Sequence, residues 1–317
     1  MIRFGYGTNG FAHHRLADAL DVIAGLGYTG VALTLDHHHL DPYADGLGRR
    51  VAKLADRLRT LGLGVVVETG ARYLLDPRRK HAPTLLDDDR GRRVDFLRRA
   101  VAVAADLGAE AVSFWSGVRP PHVAGELAWR RLVDGCADVL DAAGGVPLGF
   151  EPEPGMLVET IAGWRELRRA LGAPDGFGIT LDLGHCRCNE PDPVPDCVAA
   201  VARHLVNVQI DDMRRGTHEH LEFGDGEIDF PPVLRALADS GYRGLVAVEL
   251  PRHSHAAPDV AARSLAFLRA GAAQAGITDH PGPAGAAGPA APAGDAGQAG
   301  RAGQAAADGY VPEEGRP

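Results

Sequence analysis

The chain has 317 residues, 45% of them hydrophobic and 24% charged, with a formal net charge of −9. That is enough apolar material for one large core or two small ones, the acidic balance gives no general electrostatic reason to bind nucleic acid, and no apolar run is long enough to span a bilayer. The opening MIRFGYGTNGF lacks the charged-then-apolar pattern of a signal peptide, and Cys136, Cys186, Cys188 and Cys197 match neither a disulfide framework nor a zinc knuckle, so a cytoplasmic protein with reduced thiols is expected.

Taken in order, RFGYGT near residue 3 predicts a strand, and LADALDVIAGLG predicts a helix that stops at Gly25 or Gly27. GVALTL near 30 is the second strand, followed by the helix GLGRRVAKLADRLRTLG, which stops at Gly62. After GVVVET near 64 comes a long loop carrying Arg72, Arg78, Arg79, Lys80 and His81, readable as a solvated basic loop, a lid or a phosphate contact. The helix VDFLRRAVAVAADLG closes that repeat. The pattern continues with AVSFWS near 111 and RRLVDGCADVLDAAG, PLGFEP near 147 and GWRELRRALG, and FGITLDLG near 177 and DCVAAVARHL. VNVQID near 206 with PPVLRALADSG, then LVAVEL near 245 with VAARSLAFLRAGAAQAG, complete it near residue 276.

Eight strand–helix repeats with short links predict a parallel β/α architecture, and eight is the count that closes a (β/α)8 TIM barrel over residues 1–276. An open doubly wound sheet is the alternative, weakened because no G-x-G-x-x-G follows the first strand. Residues 277–317 are almost all Ala, Gly and Pro with scattered polar residues and are expected to form a disordered tail.

Four of the apolar runs end in an oxygen-bearing side chain: Glu151 in VPLGFE, Asp182 in FGITLD, Gln209 in LVNVQ and Glu249 in LVAVE. A polar group just past a buried strand is costly unless the sheet's rim uses it, and in a barrel the C-terminal strand ends form one face. Four hard oxygen donors there point to one divalent ion, Mn²⁺, Mg²⁺ or Co²⁺. His185, three residues after Asp182, and His218 and His220 in GTHEHLEFGDG add imidazoles nearby. Glu68 and Trp115 end the third and fourth strands and so face the same pocket; Trp115 reads equally as a sugar platform or a core residue. Glu153 in EPEP is either a substrate contact or a solvated charge, and His218 reads as solvated loop. Adjacent side chains point in different directions, so His37, His38 and His39 cannot easily share an ion. Cys186 and Cys188 read as packing residues.

The segments LDLGH, NVQIDD and HLEFGDGEIDFPPVLRALADSGYRGLVAVEL resemble the xylose isomerase-like TIM-barrel superfamily of sugar isomerases and epimerases, inosose dehydratases and family 2 AP endonucleases. The resemblance covers roughly residues 1 to 270. It implies that Glu151 and Glu249 are metal-binding glutamates that also exchange the substrate proton, that Asp182 is the metal aspartate, and that His185 contacts substrate or metal. It further implies substrate contacts for His220 and Arg215, the latter six residues beyond Gln209. Gln209 stands where most members carry histidine, and an amide oxygen is a poorer zinc ligand than an imidazole. The expected activity is a metal-dependent isomerase or epimerase acting on a small polyhydroxy carbonyl compound through an enediolate. A dehydratase on a cyclic polyol ketone and a zinc phosphodiesterase are the alternatives. The expected partner is a small-molecule substrate, with neither nucleic acid nor membrane, and self-association is left open.

Overall fold

The computed structural model describes residues 1–278. The segment from 279 onward, which holds nearly all of the tail expected to be disordered, lies outside the described residues. The barrel strands begin with β1 (Arg3–Gly7), β2 (Gly30–Thr34), β3 (Gly64–Glu68), β4 (Val112–Phe114) and β5 (Leu148–Phe150). They continue with β6 (Phe177–Asp182) and β7 (Leu205–Ile210); then an antiparallel hairpin of β8 (Asp212–Arg214) and β9 (Thr217–Leu221) intervenes before β10 (Leu245–Val248). The eight barrel strands close as a parallel ring in the order β1-β10-β7-β6-β5-β4-β3-β2. Helices α1 (Leu16–Leu26), α2 (Leu47–Leu61), α3 (Gly91–Leu107), α4 (Gly125–Asp141) and α5 (Ile161–Ala170) lie in the first links. The rest are α6 (Leu183–Asn189), α7 (Val194–Val201), α8 (Phe230–Asp239) and α9 (Ala257–Gln274).

Strand alternation sorts the side chains. Phe114, Phe150 and Phe177 pack edge-on or tilted with ring centroids 5.5 to 6.3 Å apart, on the side of the ring that faces the helices. The opposite parity fills the barrel. Val66, Ala111 and Leu245 make a small apolar plug. Thr180, Asn207 and Ser113 form a buried polar layer, and Glu68, Glu151, Asp182, Gln209 and Glu249 continue the same parity at the upper rim.

The helix ends follow glycine chemistry. α2 stops at Gly62, whose φ of 64° is the left-handed conformation that closes a helix without a Cβ clash; α1 stops at Gly27 rather than Gly25.

Three boundaries differ from the sequence expectation. The run FGITLDLG is a strand only to Asp182; its carboxylate accepts from the His185 amide at 2.8 Å and caps α6, so LGH is helical. The segment DCVAAVARHL is α helix only through Val201, with a 3-10 turn at Ala202–His204 leading straight into β7. The packed fold also runs past residue 276: Ile277 packs on the core and the Ile2 amide donates to the Thr278 carbonyl at 3.3 Å. No helix among the described residues is long and apolar enough to cross a membrane.

Candidate active site

A cavity of about 570 Å³ opens at the C-terminal ends of the strands. Its floor is acidic. Glu68 ends β3, Glu151 follows β5 and Glu249 follows β10, and all three line the cavity with Glu153, Gln209, His185, His218 and His220. Asp182 is buried beside His185, 2% exposed.

Each carboxylate is held by neighbours. Glu249 accepts from the Asn9 amide at 2.9 Å through Oε1 and from the Gln209 amide through Oε2. Glu151 accepts from the Ser113 hydroxyl at 3.4 Å, and its other oxygen lies 3.5 Å from Nδ1 of His185. Glu68 accepts from Asn207 at 3.2 Å across the barrel. The Nδ1 atom of His185 is 3.2 Å from the Pro152 carbonyl, which can only accept, so that nitrogen carries the proton and Nε2 keeps its lone pair. Burial holds the imidazole neutral, with a pKa pushed down to about 3. That Nε2 faces Nε2 of His218 at 3.1 Å. On His220, Nδ1 is 2.5 Å from Asp211, a fully buried carboxylate. Burial lowers His220, but the Asp211 carboxylate and the other acids raise it to about 10, so the ring is a cation in the metal-free chain and Nε2 becomes a ligand atom only when a metal displaces its proton.

The electrostatics of this floor favour a cation. Burial, and then the charge of Glu249, raise both Glu68 and Glu153 to about 8. Burial followed by Glu153 and Glu249 drives Glu151 well above the usual carboxylate range. Burial also raises Glu249 and Asp211. Asp182 is the exception: burial raises it, but the surrounding histidines, with His220 the charged one, and the hydrogen bond from the His185 amide together outweigh burial and hold it low. The donor atoms fit a divalent ion. Asp182, His220 and Glu249 offer ligand atoms within 4.8 Å of one another, as do Glu151, Asp182 and His185, and the three histidines His185, His218 and His220. The Oδ2 atom of Asp182 and the Oε1 atom of Gln209 are buried without a hydrogen-bond partner among the described residues, which is costly unless a ligand takes them. Carboxylate, amide oxygen and imidazole together suit a hard or borderline divalent metal.

Metal-free protein is expected to gain thermal stability as the pH falls from about 8.5 to about 6.5. Glu68 and Glu153 titrate near 8 in the folded chain against an ordinary 4.5. Across that window the folded state binds protons that the unfolded state does not, so acidification stabilises it. Below the ordinary histidine value of 6.5 the carboxylate gain continues toward 4.5 but is opposed, because His185 and His218, held neutral by burial, take up protons only on unfolding, and the curve flattens. Calorimetry of chelator-treated protein checks this; a Tm that falls steadily from the alkaline end downward would contradict it.

The structure brings Glu68, Trp115, Glu151, Glu153, His185, Gln209, His220 and Glu249 to one cavity. It does not bring Arg215 there. Arg215 occupies the two-residue turn between β8 and β9, is exposed, and donates to the Glu190 carbonyl at the end of α6. Spacing from Gln209 did not foresee a hairpin, which turns that side chain outward. The same hairpin corrects the reading of His218: alternation along β9 puts His218 and His220 on one face, toward the cavity, and Glu219 on the other, against Arg252 at 2.9 Å. Trp115 lines the cavity, with the Arg93 guanidinium 4.9 Å from its ring centroid. Arg72, Lys80 and His81 are cavity residues too.

Asn9 and Asp211 were missed. Asn9 lies two residues beyond β1 and reaches Glu249 only because the ring closes β1 against β10. Asp211 directly follows β7 in NVQID, and adjacency to Gln209 was its one sequence signal.

A family model described as the xylose isomerase-like TIM barrel matches residues 20–271. Over 261 residues the chain is 26% identical to the L-ribulose-5-phosphate 3-epimerase UlaE of Shigella flexneri serotype 5b (strain 8401), covering 78% of this chain and 90% of that protein. It is 31% identical over 183 residues to the rhizopine catabolism protein MocC of Rhizobium meliloti, covering 47% of this chain and 55% of that one. Among solved structures, an L-ribulose 3-epimerase superposes with a TM-score of 0.69 at 22% identity, over 87% of this chain and 96% of the other. The IOLI protein with a bound zinc atom gives 0.67 at 17% identity, over 86% and 99%. At these identities the structural likeness is one of fold.

Proposed function

The chain belongs to the xylose isomerase-like TIM-barrel family, and on that premise we propose that it is a divalent-metal-dependent isomerase or epimerase of a small sugar or related polyhydroxy carbonyl compound. The observation that carries this reading is the buried floor of carboxylates, with Asp182, His220 and Glu249 converging on one point and Glu151 beside them. Relatives and structural neighbours named as sugar epimerases support the isomerase chemistry.

Glu151, Asp182, Gln209 and Glu249, with His220 alongside, would hold the divalent cation, which when bound would polarise a carbonyl and acidify the adjacent C–H. Mn²⁺ and Co²⁺ match the mixed oxygen and nitrogen donors. Glu151 and Glu249 follow strands three places apart round the ring, so their carboxylates reach the substrate from different sides. One takes the proton from the carbon between carbonyl and hydroxyl, and the other returns it to the opposite face. Asn9 and Gln209 fix the Glu249 carboxylate, and Ser113 and His185 fix that of Glu151.

Incubating Mn²⁺-loaded protein with ketoses and inososes in deuterated water tests the reading. The expected result is deuterium at the carbon beside the carbonyl without loss of water, abolished by chelator and restored by Mn²⁺ or Co²⁺. No exchange with any of these compounds sinks it. One observation favours dehydration as a second reading. Glu68 lines the cavity beside the proton-transfer pair, and in the metal-free chain burial and then the Glu249 charge push it up to about 8, which suits a carboxylic acid that protonates a departing hydroxyl. Loss of water from an inosose, with Glu68→Gln blocking it, selects that reading.

A further inference from the structure

The cavity is polar in a directional sense: acidic at the floor and basic at the mouth. Arg72 and Lys80 come from the loop after β3, and Arg252 from the loop after β10. These three permanent cations stand round the opening of a cavity whose floor is acidic. The surrounding protein engages them to different degrees. Lys80 has no ion pair or hydrogen bond among the described residues, Arg72 spends one amino group on the Asn9 carbonyl at 3.2 Å, and Arg252 reaches Glu219 at 2.9 Å on the solvent side. Charges felt at neighbouring groups place them over the cavity: Lys80 acts on Glu153 and His218, Arg72 on Glu249, and Arg252 on His218.

The loop that carries two of these cations is built as a fixed wall. Arg93, 2% exposed, donates to the carbonyls of Thr69 at 3.0 Å, His81 at 2.7 Å and Pro83 at 2.8 Å. Nδ1 of His81 donates to the Gly70 carbonyl at 2.8 Å. Lys80, next to His81, therefore starts from an anchored backbone, and binding there costs less ordering entropy than at a mobile lid. A neutral sugar offers such cations hydroxyl oxygens but no formal charge to pair with. Arginine and lysine at a fixed distance from the reacting end suit an anion.

Resting on the isomerase reading above, we propose that the substrate carries an anionic group, phosphate or carboxylate, at the end remote from the reacting carbon, bound at the mouth by Lys80, Arg72 and Arg252. Lys80 and Arg252 then decide which substrates are used. The plainer account is that Lys80 merely offsets the charge of Glu153, and the test separates the two.

Inorganic phosphate is titrated into Mn²⁺-loaded wild type and into the Lys80→Gln and Arg252→Gln variants by calorimetry. Each variant is expected to bind phosphate roughly tenfold more weakly, the size of one lost charge-assisted hydrogen bond. Phosphate affinity unchanged in both variants overturns the proposal, since the ion then sits on the metal or elsewhere. In parallel, deuterium exchange is compared for a ketopentose against its 5-phosphate and for a ketohexose against its uronate. The wild type is expected to prefer one anionic member, which identifies phosphate or carboxylate, and Lys80→Gln to cut that preference roughly tenfold. A preference ratio near one in wild type also overturns it. If no compound exchanges, the isomerase reading has failed, and the phosphate titration alone decides whether the anion subsite stands.

Discussion

Replacing Glu249 with glutamine is expected to slow solvent-proton exchange by roughly 10³-fold or more, while leaving the barrel folded. The amide keeps the shape of the carboxylate and still accepts from Asn9, which donates to Oε1 at 2.9 Å, while Gln209, whose own Oε1 has no partner, can flip to accept from the new NH2 group. What it removes is the basic oxygen and one negative charge. That charge is the leading electrostatic cause, after burial, of the raised pKa values of Glu68 and Glu153. The variant without metal should therefore melt at the same temperature as wild type or higher, because a crowded buried anion has gone. Exchange followed by proton NMR at saturating Mn²⁺, beside a melting curve, separates lost chemistry from lost fold. A variant that retains more than about a tenth of the wild-type exchange rate removes Glu249 from the proton-transfer pair.

The largest effect on stability is expected at a residue outside the cavity. Asp212 is 1% exposed and its carboxylate accepts four backbone amides: Met213 at 2.9 Å and Ile228 at 3.0 Å on one oxygen, Gly224 at 2.9 Å and Gly226 at 3.0 Å on the other. It ties the segment between β9 and α8 back to β8. The fit is close: a Cβ added at Gly226 would lie 2.2 Å from Oδ1 of Asp212. Asp212→Ala strands these amides, and each buried donor left unpaired costs about 1–3 kcal/mol. A loss of about 4 kcal/mol is expected after partial relaxation and hydration. Asp212→Asn, which keeps one oxygen, should lose about half as much. The hairpin also carries His218 and His220, so exchange should fall along with stability. Urea unfolding gives the comparison, and a loss below about 1 kcal/mol for the alanine variant would show that the segment is held by other means.

Much of the site was legible because a barrel strand obeys a period of two. Once GVVVE, PLGFE, FGITLD, VNVQ and LVAVE are read as strands, Glu68, Glu151, Asp182, Gln209 and Glu249 must share the parity that faces inward, and ring closure collects their ends. Asp182 also carried a second local signal: LDLGH places an acid three residues before His185, the spacing of a helix cap, and the structure uses it so. Other parts were invisible to periodicity. The polar run DDMRRGTHEHL shows no core-facing face, so β8 and β9 read as loop, and Arg215 was placed by spacing alone. Gly216, with φ 70°, makes the tight turn that sends Arg215 toward Glu190.

By itself, the sequence determined the eight barrel strands, the parity of the side chains at their ends and hence the acidic floor. These depend on local alternation, which survives in a one-dimensional string. Only the tertiary structure decided what surrounds that floor. Asn9 meets Glu249 across 240 positions, Asn207 meets Glu68 across 139, and the cations at the mouth sit where Arg93 pins a loop through three carbonyls. Such contacts form when closure brings distant segments together and buried polar groups must find partners, a requirement that no local pattern encodes.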